Sequence, residues 1–351
     1  MALSDQSSGR LYGEYNALRM FLHDLCCLLC RTNYLKSKLL RCARRHRPLE
    51  SDAQALVVFT NLKLLLDTVG GQIVSLETNW YTFLDRYPHK TEGTLRLLIN
   101  EARIHPDEHW NRLHYVSFSN FHNLGVGRWL DDGLIDHFVQ KWCAQAGTLL
   151  GLKASFAGKF LFQDTSCLDA KTLLTENDVI LFRNACRKAV GKLGLSSWDS
   201  VFIPINENSN HWYSAYIDFR HKRIEIYDSL EERYLANRQK PLESQENTGL
   251  MLVLMPLTEI LSELRGDPVK LKDDEKTNWV CKPHSKVHFQ RNLYDCGVHT
   301  LWHLQHCLEF RRVRLGDDCP LDAFRLTDNM VGKRMRLAQE ILKDCNEVDE
   351  V

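Results

Sequence analysis

Apolar residues in the first hundred positions recur at helical spacing. They step by three and four residues over 15–29 and again over 62–83, where only a Gly-Gly pair interrupts the pattern. Such spacing places apolar side chains on one face of an α-helix. Pro88 is predicted to close the second helix, and a third, short helix is predicted over residues 94–102. The pattern indicates an α-helical hairpin or small bundle over residues 1–110.

Strand and helix patterns are mixed in the remainder of the chain, which we predict to be a separate domain over residues 111–351. An apolar run over 199–205 is followed by two predicted strands, 211–219 and 224–230, joined by a polar turn. Further predictions are helices over 130–142, 170–193, 250–265 and 300–310, a polar surface loop over 235–249, and a strand or extended segment over 279–289.

Cys296 lies where a loop meets the apolar helical run. The first N–H groups and the positive end of a helix dipole favour thiolate over thiol at such a position, so Cys296 is the candidate nucleophile. Gly297 leaves room for a substrate carbonyl, and the side-chain amide of Gln290 can stabilise a developing oxyanion. The alternative is a buried cysteine that only packs at the start of the helix.

A thiol nucleophile needs a base, and the base needs a group that orients it. His211 begins the first predicted strand of the hairpin, and Asp228 lies near the end of the second. Because antiparallel strands bring such ends together, we predict that His211 and Asp228 form a dyad next to Cys296.

Five separate segments resemble, in order, the ubiquitin-like-protein-specific proteases, the SUMO-protease family of papain-like cysteine peptidases. The segments are Trp129 to Phe138, His211-Trp212, Asp228 within Tyr-Asp-Ser-Leu, Gln290 to Gly297, and the C-terminal pair Cys319-Pro-Leu-Asp and Lys333-Arg-Met-Arg. The resemblance covers roughly residues 120–345. It implies an α+β fold, with a papain-like mixed central sheet flanked by helices.

The resemblance also implies a function and a site. The expected activity is hydrolysis of the peptide or isopeptide bond after the C-terminal Gly-Gly of SUMO or a related modifier, in processing or deconjugation. The expected catalytic residues are His211, Asp228, Gln290 and Cys296, with no cofactor. Trp129 and Trp212 resemble two aromatic walls over the modifier's last residues, and Asp132 matches a position that pairs with a basic residue of the modifier.

Two alternatives remain open at the level of sequence. The first is a non-catalytic module that binds a ubiquitin-like protein through the same groove. The second is an acetyltransferase on a similar scaffold, which would need an acetyl-CoA pocket and an activating ligand site. We expect no basic cluster of this kind within residues 120–345.

Composition limits the other possibilities. Lys plus Arg and Asp plus Glu number 45 each, so net charge indicates neither nucleic acid nor an anionic membrane as a partner. The first ten residues lack an apolar signal core, which predicts an intracellular protein, nuclear or cytoplasmic, whose 12 cysteines stay reduced. His299 and His303 have the i, i+4 spacing of metal ligands, but no third ligand is evident, so we predict no metal site. The oligomeric state is left open.

Overall fold

The computed structural model describes residues 52–104, 113, 116–271, 278–316 and 329–347, with single helical positions at 17, 24 and 31. The first predicted helix, over 15–29, lies outside the described residues except at 17 and 24. The segment 319–322, one of those that resemble the protease family, also lies outside them.

Two helices open the described chain. Helix α1 spans Asp52–Arg86 and continues through the Gly-Gly pair without a break. Helix α2 spans Pro88–Ile104, so the short helix predicted over 94–102 begins six residues earlier than expected. Pro88 opens this helix as well as following the previous one, since the missing N–H of proline costs nothing at the first helical position.

These helices pack on the last helix of the chain, α10, which spans Met330–Glu347. The hydroxyl of Tyr81 donates to Oε1 of Gln339 at 2.9 Å, and the amide of Asn329 donates to the Leu84 carbonyl at 2.9 Å. Leu84 is buried in the same apolar core as the central sheet. The division of the chain between residues 110 and 111 stays a prediction.

The central sheet is mixed and has five strands in the order β1-β2-β3-β4-β5. The strands β2, β3 and β4 are antiparallel, whereas β1 and β5 run parallel to their neighbours. Their bounds are β1 Leu149–Gly151, β2 Ser200–Glu207, β3 His211–Asp218, β4 Arg223–Tyr227 and β5 Val280–Ser285. The predicted hairpin is confirmed as β3 and β4, and β1 has no counterpart among the predicted elements.

Helices surround this sheet. They are α3 Phe118–His122, α4 Asp132–Ala146, α5 Ala154–Phe160, α6 Glu176–Leu193, α7 Glu231–Arg238, α8 Thr248–Arg265 and α9 Cys296–Phe310, with a 3₁₀ turn over Leu242–Ser244. Helix α6 begins later than predicted because Thr175 and Asp178 form a capping box there. The predicted loop 235–249 is wrong in part, since it contains the end of α7 and the 3₁₀ turn. The predicted α+β class, a mixed sheet flanked by helices, is confirmed.

Helix α9 is the buried centre of the fold. It packs against β3 and α4, and every residue from Cys296 to Cys307 is buried. The histidines at 299 and 303 are therefore inside the protein. Within the part of the chain that the structure describes, no three metal-ligating side chains cluster, and no helix is long and apolar enough to cross a membrane.

Candidate active site

His211 and Asp228 meet at one end of the β3–β4 hairpin. His211 is the first residue of β3 and Asp228 follows the last residue of β4, with Ser214 paired to Tyr227 in the register between them. His211 Nε2 donates to Asp228 Oδ1 at 2.9 Å, and both side chains are buried. The strand pairing thus produces the contact that was predicted from the hairpin.

The surroundings of His211 favour its charged form. Burial by itself lowers the pKa of an imidazole, because it removes water from the cation. The hydrogen bonds with Asp228 and Cys296, and the charges of these two groups, outweigh burial and raise the pKa of His211 to about 9. Since Nε2 is used by Asp228, Nδ1 is the nitrogen left to face the Cys296 sulfur.

Asp228 is held as a carboxylate. Burial alone would raise its pKa, but the His211 hydrogen bond and charge, the Leu230 N–H and the charge of Arg233 lower it. The Leu230 N–H donates to Oδ1 at 2.9 Å, and Arg233 Nη1 lies 3.5 Å from Oδ2. Arg233 in turn donates to both carboxylate oxygens of Glu207, at 2.7 and 2.5 Å. No local sequence pattern predicts this second layer of charge around Asp228.

Cys296 is the first residue of α9, as predicted, and is only 1% exposed. Gly297 also has a packing constraint within the protein, in addition to the room that it is predicted to leave for a substrate carbonyl. A Cβ at Gly297 would lie 2.9 Å from the Cβ of Leu130, a distance that side chains do not tolerate. Gly297 therefore lets the start of α9 approach the segment just before α4.

Gln290 is fixed at both ends of its amide. Its Oε1 accepts from the Ser229 hydroxyl at 2.6 Å, and its Nε2 donates to the Asn292 carbonyl at 2.6 Å. The Gln290 backbone N–H also donates to the Ser229 carbonyl, at 2.9 Å. A primary amide has two N–H donors, so one remains for an oxyanion.

An arginine that sequence reasoning did not single out supports the cysteine loop. Arg334, on α10, donates to Asp295 Oδ1 from Nε at 2.9 Å and from Nη2 at 2.7 Å. It also donates to the carbonyls of Tyr294 and Arg128, at 3.0 and 2.7 Å. Asp295, directly before Cys296, could have indicated such a partner, because a buried carboxylate needs a cation close to it.

The three residues expected to bind substrate differ in accessibility. Trp129 is 50% exposed, and its Nε1 donates to the Leu293 carbonyl at 2.8 Å. Trp212 is 3% exposed, and its Nε1 donates to the Leu130 carbonyl at 2.8 Å. Asp132 is exposed and accepts from Asn206 at 3.0 Å, while the neighbouring Asp131 caps α4. Trp129 and Asp132 are open to a partner, and Trp212 offers little surface.

Comparison with solved structures finds SUMO proteases. The protease Ulp1 with its catalytic cysteine oxidised to a sulfonic acid is 20% identical, with a TM-score of 0.49 over 73% of this chain and 95% of that one. The C-terminal domain of Ulp1 bound to Smt3, the yeast ortholog of SUMO, is 23% identical, with a TM-score of 0.42 over 65% and 83%. A Chaetomium thermophilum Ulp1-like SUMO protease domain is 17% identical, with a TM-score of 0.44 over 71% and 88%.

Comparison with curated protein sequences gives no match. The model of the Ulp1 protease family, C-terminal catalytic domain, matches residues 171–346, just over half of the chain. His211, Asp228, Gln290 and Cys296 lie within the matched range, whereas Trp129 and Asp132 precede it. The chain therefore belongs to the Ulp1 protease family and is a cysteine-type peptidase of that family.

Proposed function

We propose that this protein hydrolyses the peptide or isopeptide bond after the C-terminal Gly-Gly of SUMO or a related ubiquitin-like modifier. The observation that carries the proposal is the 2.9 Å contact of His211 with Asp228, next to Cys296 at the start of α9, which contributes to the raised pKa of His211. Membership of the Ulp1 protease family supports it. Processing of precursors and release from conjugates are both within the proposal.

His211 takes the proton of the Cys296 thiol, which leaves a thiolate beside an imidazolium. The Cys296 thiolate attacks the carbonyl carbon of the terminal glycine, and His211 protonates the leaving amine as the C–N bond breaks. The resulting thioester is hydrolysed by a water molecule that gives its proton to His211. Asp228 orients the imidazole throughout. This sequence of steps needs no cofactor.

The oxyanion of each tetrahedral intermediate is assigned to two donors, the free amide N–H of Gln290 and the backbone N–H of Cys296. Ser229 and Asn292 hold the Gln290 amide in place, so the donor is positioned before the substrate arrives. Loss of one such donor typically costs about 3 kcal/mol of transition-state stabilisation. We expect Gln290→Ala to lower kcat by roughly two decades, a loss within the range for single oxyanion donors.

The modifier tail is proposed to pass between the side chains of Trp129 and Trp212, with Asp132 pairing with a basic residue of the modifier. A narrow passage between indoles accepts glycine and rejects a β-carbon. Because an overpacked methyl costs about 1–3 kcal/mol, changing the penultimate glycine to alanine should lower kcat/KM at least about tenfold.

The test compares modifier substrates ending in Gly-Gly and in Ala-Gly. Trp129→Ala should lower turnover of the Gly-Gly substrate and reduce the discrimination, whereas the control Leu252→Ala, an exposed side chain on α8, should change neither. Equal turnover of both substrates by the unmutated protein would contradict the passage.

A second candidate function is binding of a ubiquitin-like protein without catalysis. The observation that favours it is the burial of Cys296 and Trp212, since a reactive thiol must be reached by its substrate. Iodoacetamide at pH 6 separates the two functions. A catalytic Cys296, paired with His211, should be alkylated much faster than the other cysteines, whereas uniform slow alkylation would favour the binding module.

A further inference from the structure

A cavity of about 410 Å³ lies beside the edge strand β5, and none of the candidate catalytic residues is among its described lining residues. Strands β4 and β5 form one wall, and the segment 312–315, directly after α9, forms another. Five cationic side chains line it, from three separate parts of the chain: Arg223, Lys282, Lys286, Arg312 and Arg314. No basic cluster arguing for an acetyl-CoA pocket was expected within residues 120–345, and the fold assembles this basic lining from positions that are distant in sequence.

The charge of the cavity is unbalanced. Among the lining residues that the structure describes, Glu225 is the one carboxylate, so these five cations and one anion leave a formal excess of four positive charges. The chain as a whole has no net charge. The excess is thus a local arrangement, and composition does not explain it.

Glu225 cannot neutralise the five cationic side chains. Its carboxylate already accepts from the Tyr227 hydroxyl at 2.7 Å and the Ser285 hydroxyl at 3.5 Å, and Lys282 Nζ lies 3.5 Å from it. It is buried, whereas Lys282 is largely exposed. Within the described part of the chain, Arg223, Lys286 and Arg312 form no ion pair with a carboxylate.

We propose that this cavity binds a small ligand that carries several phosphate or sulfate groups. Guanidinium groups bind such oxyanions in pairs of parallel hydrogen bonds, and lysines add charge without fixed geometry. A volume of about 410 Å³ is that of a small-molecule pocket and is too small for a nucleic acid duplex. The inference is independent of the proposed protease function.

The ligand would touch elements that carry the candidate site. Tyr227 lines the cavity and directly precedes Asp228, and its ring lies 5.6 Å from the ring of His303 on α9. The segment 312–315 continues from the other end of the same helix. Occupancy should therefore stabilise the folded protein, because a ligand that binds only the native state raises its melting temperature.

The test is calorimetric titration of the full chain with inorganic tripolyphosphate, ATP and inositol hexakisphosphate, each at physiological salt. At least one probe should bind at a single site and raise Tm. The probe that binds shows whether the cavity accepts a linear polyphosphate, a nucleotide or a phosphorylated inositol ring. If no probe binds more tightly than about 1 mM, a range typical of unspecific contact, the proposal is overturned.

Two matched variants locate the binding. Arg223→Gln with Arg312→Gln should weaken binding about 10- to 100-fold, since hydrogen bonds to charged groups are lost. Arg187→Gln with Lys188→Gln removes the same charge from the exposed face of α6 and should leave binding within about twofold, as screened surface charges do. Equal losses in both variants would overturn the proposal, since binding would then follow overall charge.

The variant Arg223→Lys with Arg312→Lys keeps the cavity's charge but removes the guanidinium forks. We expect an intermediate loss of affinity and an unchanged Tm in the absence of ligand. Affinity equal to that of the unmutated protein would contradict the role assigned to the two arginines.

Discussion

Arg334 donates two hydrogen bonds to a single carboxylate oxygen of Asp295, at 2.9 Å from Nε and 2.7 Å from Nη2. Arg334 is 1% exposed and also donates to carbonyls of the segment 123–128 that leads to Trp129. One buried guanidinium on α10 therefore ties the segment before α4 to the residue before Cys296. We regard Arg334 as a positioning residue for the candidate nucleophile.

Replacement of Arg334 by Met should destabilise the protein by about 3–5 kcal/mol, because it leaves the Asp295 carboxylate buried without its cation. Arg96→Met is the control, since the Arg96 side chain is exposed on α2 and pairs with Glu92 on the same helix. The control should lose about 1 kcal/mol or less. Urea unfolding measures both.

A positioning role also requires an effect on Cys296 itself. Arg334→Lys keeps the positive charge but removes the guanidinium group that donates two hydrogen bonds to Asp295. In the folded variant, iodoacetamide should therefore alkylate Cys296 more slowly than in the unmutated protein. A rate equal to that of the unmutated protein would reduce Arg334 to a purely structural contact.

Activity should fall as the pH rises through about 9. His211 must be an imidazolium to protonate the leaving amine, and its pKa is raised to about 9 by Asp228 and Cys296 against the effect of burial. The Asp228→Asn variant should show this alkaline limb at lower pH, as well as slower turnover. The measurement is kcat/KM on a small peptide substrate from pH 6 to 10.5, and constant activity through pH 10 would contradict the assignment.

The raised pKa of His211 also makes the stability of the folded protein depend on pH. The folded pKa of His211 lies above the unfolded value of about 6.5. Its contribution to stability is therefore full below pH 6.5 and is lost as the pH rises through about 9.

The buried histidines of α9 predict acid sensitivity. Burial, followed by the charge of His306, lowers the pKa of His303 to about 3, and burial, followed by the charge of His303, lowers that of His299 well below its usual range. Between about pH 6.5 and 3 the unfolded chain binds protons that the folded protein excludes, so stability falls as the pH drops. The slope is at most about 1.4 kcal/mol per pH unit for each histidine.

Unfolding of His303→Leu at several pH values measures how much His303 contributes to the pH dependence of stability. The variant should lose about one histidine's part of the slope, whereas His89→Leu, an exposed position on α2, should keep the whole slope. An identical pH dependence in His303→Leu and the unmutated protein would show that His303 does not resist protonation.

Removal of residues 1–110 tests the predicted division of the chain. A chain that starts at Asn111 should keep turnover on a small peptide, because the candidate catalytic residues all lie beyond residue 115. It should also have a lower Tm, since Leu84, Leu95 and Leu98 leave the common core. A chain that starts at Asp52 is the control. Loss of turnover in a folded protein that starts at Asn111 would show that the N-terminal helices take part in chemistry.

Local sequence patterns predicted the strands and the helix that carry the candidate site. They did not predict contacts between residues that are distant in sequence. The alternation in β3 and β4 and the position of Cys296 at a loop-to-helix boundary are local properties, and so the hairpin and the helix start were predictable. The Arg334–Asp295 pair joins positions 39 residues apart, and the basic cavity joins β4, β5 and the segment after α9. Strand β1 has three residues, too few for a periodic signal.

The most direct test of catalysis by Cys296 is a panel of ubiquitin-like modifiers, each with an electrophile at its C-terminus, incubated with the full chain. Proposed catalysis by Cys296 predicts a covalent adduct with SUMO or a related modifier, located at Cys296 by mass spectrometry. The adduct should be absent in Cys296→Ser and strongly slowed in His211→Ala. An unmutated, folded protein that binds a modifier but forms no adduct with it, or forms one at another cysteine, would contradict the account.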